Sequence, residues 1–135
     1  MRALPEGYVE ARLIDPFELY VGPVFARGDA GARTYAFRVD ERHVNARSGV
    51  HGGMLLTFAD CALGQAVWDA TDNAPSVTLN MQGHFLKPAR LGALVEVAPE
   101  LTHKTRGFVF ARGIFTADGE PVMSATSLWK LFLPR

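Results

Sequence analysis

The sequence predicts an α+β fold in which one long helix, buried on most sides, is covered by a curved antiparallel sheet of five to six strands. The helix is predicted up to Trp68, after the glycine pair Gly52-Gly53, because large apolar residues recur there at helical spacing with alanines between them. Segments of alternating apolar and polar residues on both sides of it predict the strands. A sheet of that size must curl around the helix to bury so wide an apolar surface.

The segment before the long helix predicts a short helix and then a hairpin. Asp15 stands at a cap position, Pro16 at the first helical position and Glu18 three residues after the cap, a combination that starts a helix. The pair Gly22-Pro23 ends it after little more than a turn. The hairpin strands are predicted at 24–27 and 34–39.

The segment after the long helix predicts a further set of antiparallel strands. The first runs over 77–85, with Gly83 as a bulge, and a turn at 87–92 follows. The next strand starts at Leu94 and continues past Pro99, which is placed at an edge or a bulge, towards His103. The last two strands, 108–115 and 122–133, pair with each other.

Composition limits the classes of function. At 135 residues the chain is expected to form a single domain, 1–135, around one core. Lys plus Arg and Asp plus Glu are each 14, so no net charge draws the chain to nucleic acid or to an anionic membrane. The start of the chain has no apolar signal region, and polar residues interrupt the apolar helix, so we expect a cytoplasmic protein without a membrane span. Cys61 is the single cysteine and is expected to fill core space.

The chemistry is expected on the long helix. Asp60 is the only fully charged side chain between Gly49 and Trp68, and a carboxylate that loses hydration in a buried helix suggests a function. The first turn of a helix also has backbone N–H groups without intrahelical partners, and Gly52 and Gly53 leave them open to a phosphate or a carbonyl oxygen. The alternative is that the glycines only turn a corner and Asp60 is a satisfied polar residue of the core.

Helix geometry predicts a site shared between two chains. Gly52 and Asp60 are eight residues apart, roughly 12 Å along the axis, so one carbonyl group does not reach both. If both serve one reacting centre, they come from two copies of the helix that run antiparallel across a two-fold axis. Gly64, one turn after Asp60, is expected to leave space for a substrate or for the neighbouring backbone.

These residues carry a resemblance to a known family. The pattern is Asn45, then His51-Gly52-Gly53 and then Asp60, on a long apolar helix. It resembles the hotdog-fold acyl-CoA thioesterases of the PaaI (phenylacetate-pathway) type, and the similarity extends over nearly the whole chain. That family commonly has Gly at the third residue after the Asn, whereas this chain has Ser48 there.

The resemblance implies hydrolysis of an acyl-CoA thioester and a set of site residues. Gly52 would donate its amide to the carbonyl oxygen, and Asp60 would act as general base or as nucleophile. Asn45 would hold the carbonyl or the water, His51 leads into the helix, and Thr78 would orient water beside the Asp. For Thr78 the alternative is a plain strand residue, and for His51 a residue that only braces the loop.

The resemblance also implies partners and assembly. Coenzyme A is part of the substrate, and no separate cofactor is expected. Cations that lie in loops or at strand ends are candidates to meet its phosphates, although most surface cations only solvate a fold: Lys87, Arg90, Lys104 and Arg106. A homodimer is expected as the minimal active unit, with a dimer of dimers as the full assembly. His43, His84 and His103 lack the spacing of metal ligands, so no metal site is expected.

Two other functions are compatible with the same fold. The first is a non-catalytic acyl-CoA-binding or regulatory hotdog protein, against which Asp60 argues, because a pure binder gains nothing from a buried carboxylate. The second is dehydration of hydroxyacyl thioesters, whose catalysts pair a His with an acid at other positions. A thiol-release assay over several acyl-CoAs separates the three.

Overall fold

The structure is a computed structural model that describes residues 3–132. Its elements are two α-helices, α1 (Pro16–Val21) and α2 (Gly52–Ala70), and eight strands. The strands are β1 (Val9–Glu10), β2 (Phe25–Arg27), β3 (Thr34–Arg38), β4 (Ser76–Phe85), β5 (Leu94–Val97), β6 (Glu100–Lys104), β7 (Phe108–Ala117) and β8 (Glu120–Leu131). A single 3₁₀ turn, Glu41–His43, precedes the loop that leads into α2.

All eight strands form one antiparallel sheet that curls around α2. The order is β1-β2-β3-β5-β7-β8-β4, and β6 pairs with β7 beyond the end of β5. The α+β hotdog architecture is therefore confirmed, but the predicted five to six strands are too few. β1 is an additional two-residue strand, and the strand predicted past Pro99 is two strands, β5 and β6, on either side of that proline. Proline has no N–H to give to a sheet, so the ladder breaks there.

The core lies between the sheet and α2. The Phe58 ring of α2 packs edge to face against Phe37 of β3 and Phe115 of β7, with ring centroids 4.8 and 5.7 Å apart. Eight residues of α2 are buried: Met54, Leu55, Phe58, Ala59, Cys61, Ala62, Leu63 and Val67. Such rings supply large apolar areas and so dominate the stability of a core.

One stripe of α2 is left uncovered. Gly53, Asp60 and Trp68 are exposed, and Thr57 and Gly64 between them are partly exposed. Their spacing of three or four residues places them on one face of the helix. The sheet ends beside this stripe, because β4 is the last strand in its order. The opening along the helix therefore lies next to an unpaired strand edge.

Two local predictions are corrected by the structure. The bulge of β4 lies between Thr78 and Asn80, whereas Gly83 pairs regularly with Ala125. A Cβ on Gly83 would lie 2.8 Å from a methyl carbon of Leu56, so the strand approaches the helix closely there and a larger residue would force Leu56 to shift. Asp15 precedes α1 as expected, but its side chain makes no capping hydrogen bond.

The other predicted segments agree closely with the observed elements. The start of α1, the two hairpin strands β2 and β3, and the pairing of β7 with β8 are all present. Residue 133, predicted as the end of the last strand, lies outside the described residues. Among residues 3–132, no helix has both the length and the apolar character that crossing a membrane requires.

Candidate active site

The first turn of α2 presents one backbone amide without an acceptor. The Gly53 amide donates to Nδ1 of His51 at 2.9 Å, so His51 caps the helix. The Met54 and Leu55 amides donate to the His51 carbonyl oxygen at 2.9 and 3.2 Å. Within residues 3–132, the Gly52 amide has no hydrogen-bond acceptor. A free N–H at a helix N-terminus is suited to bind an oxygen that carries negative charge.

Gly52 lies in a small pocket beside the ring of Phe85. The pocket has a volume of about 350 Å³, and the ring of Phe85 forms one wall. A Cβ on Gly52 would lie 3.0 Å from that ring, so a side chain would push Phe85 away or fill the space in front of the amide. The absence of a side chain keeps the amide accessible to a ligand.

The loop before α2 is braced by Asn45. The side-chain oxygen of Asn45 accepts hydrogen bonds from the amides of Arg47, at 2.9 Å, and Gly49, at 3.3 Å. Between them, Ser48 adopts a φ of 64°, the left-handed conformation that glycine takes most readily. The hydrogen bonds of this turn use only the side-chain oxygen of Asn45. Its carboxamide nitrogen takes no part in them, and Asn45 is exposed.

Asp60 and Thr78 form the second group of predicted site residues. The hydroxyl of Thr78, on β4, donates to Oδ1 of Asp60 at 2.6 Å. The expectation that Asp60 is buried is wrong for the single chain, because Asp60 belongs to the exposed stripe of α2. The sheet covers the other sides of the helix and stops at β4, so this face keeps its contact with solvent.

The Asp60 group and the Gly52 group occupy different pockets. Asp60 and Thr78 line a cavity of about 410 Å³ that contains none of the residues around Gly52. Gly64 borders this cavity, but the expected space above it is partly taken by the Trp129 ring, 3.0 Å from where a Cβ would lie. Cys61, next to Asp60, is buried, and this burial, followed by the nearby Glu18 charge, raises the pKa of its thiol. Because a raised pKa keeps the thiol protonated, Cys61 is a poor nucleophile.

The four candidate cations lie at opposite ends of α2. Lys87 lines the Gly52 pocket and forms an exposed ion pair with Glu120, while Arg90 pairs through its backbone with Gly49 in the loop before the helix. Lys104 instead donates to the Ala70 carbonyl oxygen at 2.9 Å, at the C-terminal end of α2, and the exposed Arg106 follows it closely in the chain. One chain therefore brings together only Lys87 and Arg90 near Gly52.

Most residues that line the Asp60 cavity were not predicted as site residues. Glu18 of α1 and the indoles of Trp68 and Trp129 line it together with Asp60. The local sequence marks Glu18 only as part of a helix start, and it does not indicate which distant residues Glu18 meets. In the described part of the chain, no group of three or more His, Cys, Asp or Glu residues is arranged to hold a metal ion.

The fold and the site define a class of protein. A helix wrapped by one antiparallel sheet, with a free amide at its N-terminus and the Asp60 carboxylate on its exposed face, is a hotdog arrangement that suits attack on a carbonyl group. The family model for the thioesterase superfamily matches residues 49–124, which include both groups. The chain belongs to that superfamily and is a thioester hydrolase.

Known proteins resemble the chain along most of its length. A Pseudomonas aeruginosa protein, PA0474, named as an esterase, is 32% identical over 133 residues, covering 97% of this chain and 99% of its own. The acyl-coenzyme A thioesterase 13 of Mus musculus is 28% identical over 58% of this chain and 66% of its own. A structure of a variant of the phenylacetic acid degradation protein PaaI from Thermus thermophilus superposes with a TM-score of 0.78 at 24% identity, covering 87% of this chain and all of that one.

Proposed function

We propose that this protein hydrolyses an acyl-CoA thioester to a free carboxylic acid and coenzyme A in sites shared by two chains. One chain supplies the Gly52 amide and the other supplies Asp60. The observation that carries the proposal is the separation of these two groups, in different pockets roughly 12 Å apart along one helix. The name of the mouse relative, an acyl-coenzyme A thioesterase, supports the choice of substrate.

The Gly52 amide is suited to stabilise the transition state. Attack on a thioester moves negative charge onto the carbonyl oxygen, and a fixed N–H aimed at that oxygen gains strength as the charge develops. Loss of one such donor typically costs about 3 kcal/mol of transition-state stabilisation. The other amides of the first turn already donate to His51, so the Gly52 amide is the donor that we assign to this role.

Asp60 is proposed to activate the attacking group. Thr78 donates to Oδ1, which fixes the carboxylate and leaves Oδ2 to take a proton from water. That water then adds to the carbonyl carbon, and the thiolate of coenzyme A leaves. In the alternative, Asp60 itself adds to the carbonyl carbon and displaces the thiolate of coenzyme A, which gives a mixed anhydride that water hydrolyses in a second step. Both routes use the same carboxylate in the same position.

The open face of the chain supports assembly with a second copy. β4 is a ten-residue edge strand, and it exposes apolar side chains, Val77, Leu79 and Phe85, at 43%, 51% and 54%. A long apolar edge promotes pairing with another strand. A second chain that pairs there brings its own α2 against the exposed stripe, antiparallel to the first helix. Asp60 of each chain would then lose water and face Gly52 of the other.

Asn45 and His51 are proposed to shape the oxyanion side of the site. Asn45 turns the loop with its oxygen, so its carboxamide nitrogen is the group available to donate to the substrate carbonyl or to water. His51 holds Nδ1 as an acceptor for Gly53, which places the ring proton on Nε2 when the imidazole is neutral. His51 is therefore proposed to act on the reaction indirectly, by fixing the position of the first turn of α2.

Lys87 and Arg90 are the cations that we propose for the phosphates of coenzyme A. Both are exposed and lie near Gly52 in the same chain. The ion pair of Lys87 with Glu120 is exposed on both sides, at 60% and 62%, so a phosphate can replace Glu120 at little cost.

The test is Asp60→Asn, measured by thiol release from a panel of acyl-CoAs. The amide keeps the shape of the carboxylate but takes up no proton, so kcat should fall about a hundredfold or more while KM and Tm stay near those of the wild type. Asp118→Asn, in the exposed turn between β7 and β8, is the matched control and should hydrolyse normally.

The outcomes separate the proposal from its alternatives. Near-normal kcat in Asp60→Asn removes Asp60 from the mechanism. A wild-type protein that binds acyl-CoAs without releasing thiol from any of them is a binding protein. Isolation of an acylated Asp60 peptide from a rapidly quenched reaction identifies the nucleophilic route.

A further inference from the structure

The cavity beside Asp60 has an acidic wall. Asp15 and Glu18, from the start of α1, line it together with Asp60. No Lys, Arg or His is among the described residues that line it, and the rest of the wall is mainly apolar, including Trp68, Val77 and Trp129. In the proposed reaction, a thioester held at Asp60 would contact this wall.

The three arginines of the adjoining groove do not line the Asp60 cavity. A larger groove of about 830 Å³ continues past Trp68. Two of its cations are already engaged, Arg27 with Glu96 and Arg33 with Asp69, each at 3.7 Å. Arg12 also lines this groove but not the Asp60 cavity.

Two residues fix the position of α1, and hence of Glu18. The Arg42 guanidinium donates to the carbonyl oxygens of Tyr20 and Gly22 at the end of α1. Nε2 of the buried His43 donates to the Val21 oxygen at 2.7 Å. α1 is thereby tied to the loop before α2, and Glu18 is an ordered part of the cavity wall.

Glu18 is placed where its charge acts strongly. Its side chain is only partly exposed, and burial, followed by the charge of Asp15, raises the pKa of its carboxyl group. The thiol of Cys61 opposes this shift, and the charge of Asp60 adds to it. Two like charges in a partly buried cavity repel more strongly than in water, because the local dielectric constant is lower.

We propose that Glu18 makes the enzyme selective for neutral acyl groups by repelling acyl chains that carry a carboxylate at their far end. The inference rests on the proposed function, since it takes the Asp60 cavity as the acyl site. It assigns Glu18 to substrate selection, and the bond-breaking step itself stays with Asp60 and Gly52. The substrate class is then alkanoyl or arylacyl thioesters without a distal negative charge.

The test compares two five-carbon substrates, pentanoyl-CoA and glutaryl-CoA, at about pH 8, where carboxyl groups are ionised. Wild type should prefer pentanoyl-CoA, and Glu18→Gln should raise kcat/KM for glutaryl-CoA about tenfold, the size of one modest charge interaction. The value for pentanoyl-CoA should change less than about twofold, because a neutral chain is insensitive to this charge. Glu41→Gln, an exposed residue of the 3₁₀ turn, makes the same change outside the cavity and should alter neither value.

A binding measurement separates this inference from the proposed function. Two thioether analogues that resist hydrolysis, S-pentyl-CoA and S-(4-carboxybutyl)-CoA, are titrated into wild type and Glu18→Gln. Weaker binding of the carboxylated analogue to wild type, relieved in Glu18→Gln, supports the inference even if wild type releases no thiol, a result that would defeat only the proposed function. Equal kcat/KM for the two thioesters in wild type, or an equal rise for both in Glu18→Gln, overturns it.

Discussion

At the scale of single residues, the hydrogen bond between Thr78 and Asp60 is the most direct evidence for an organised site. A hydroxyl donor at 2.6 Å from a carboxylate oxygen is a short, charge-assisted hydrogen bond. Thr78 comes from β4 and Asp60 from α2, so the bond also ties the edge strand to the helix. It fixes the carboxylate orientation that the proposed reaction needs.

Replacement of Thr78 by valine should therefore lower kcat without loss of the fold. Valine keeps the branched shape but not the donor, and a hydrogen bond to a charged group contributes enough that we expect about a tenfold fall in kcat with little change in KM. Steady-state kinetics on wild type and Thr78→Val measure this. Thr126→Val, on the exposed face of β8, is the control. Unchanged kcat in Thr78→Val would leave Thr78 as a strand residue that merely faces the helix.

Glu18 also predicts a pH dependence of stability. The pKa of its carboxyl group is raised in the folded protein by burial, so the folded state favours the neutral acid. The stability that the protonated Glu18 contributes is fully present at a pH below the pKa of this group in the unfolded chain. It is lost as the pH rises through the pKa of Glu18 in the folded protein. Glu18→Gln should thus match the wild-type Tm at about pH 3 and exceed it at about pH 7. A Tm difference that is constant with pH would contradict this.

The sequence could identify only residues whose neighbours are local. Gly52 and Asp60 are recognisable because the helix fixes both their environment and their spacing. Glu18 meets Cys61 and Asp60 only after the chain has folded back on itself, so its position in the cavity depends on tertiary structure. The exposure of Asp60 was wrongly predicted for a related reason, because an apolar helix does not reveal where the sheet that covers it ends.

At the scale of elements, the N-terminus of α2 depends on His51. Its ring accepts from the Gly53 amide, and its carbonyl oxygen accepts from the next two amides. This arrangement leaves the Gly52 amide as the exposed donor. The cap therefore links helix stability to the geometry of the oxyanion site.

Two substitutions of His51 separate a capping role from a chemical one. His51→Ala removes the acceptor and should cost about 1 kcal/mol of stability, together with a loss of kcat as the first turn frays. His51→Asn supplies another good capping oxygen and should recover most of both. Thermal unfolding and kcat are measured for the two variants. A stable but inactive His51→Asn protein would show that the imidazole takes part in the reaction.

The strands show where local pattern fails as a guide. The alternation of β7 and β8 predicts their pairing well, because each has one face on the core. In β4 the glycine that the pattern marks as a bulge instead lies at a close approach to Leu56. The two residues of β1 are too few to show any alternation, and they are held by pairing with β2.

At the scale of the whole molecule, the chain has an open side. The exposed stripe of α2 and the apolar edge of β4 lie next to each other, and Asp60 is part of the stripe. A single chain offers an amide in one pocket and a carboxylate in another. Both facts are explained if the working unit contains two chains related by a two-fold axis.

A mixed dimer tests whether each active site is formed by residues of both chains. One chain carries Asn45→Ala and the other carries Asp60→Ala, and each should be nearly inactive as a homodimer. In the mixed dimer one site collects both lesions, whereas the other combines intact Asn45 and Gly52 from one chain with intact Asp60 from its partner. Random pairing should therefore restore about a quarter of all sites, and the isolated mixed dimer about half of its own.

The experiment co-expresses the two variants with different tags, isolates the mixed species by two affinity steps and assays thiol release. Mixtures of the separately purified homodimers, kept from exchanging subunits, are the control and should stay inactive. Recovery near half of the wild-type kcat per dimer is expected, because symmetry leaves one intact site in two. Activity no higher than that of the parent homodimers, once Asn45→Ala alone is known to impair turnover, would mean that Gly52 and Asp60 do not act on the same carbonyl group across the interface.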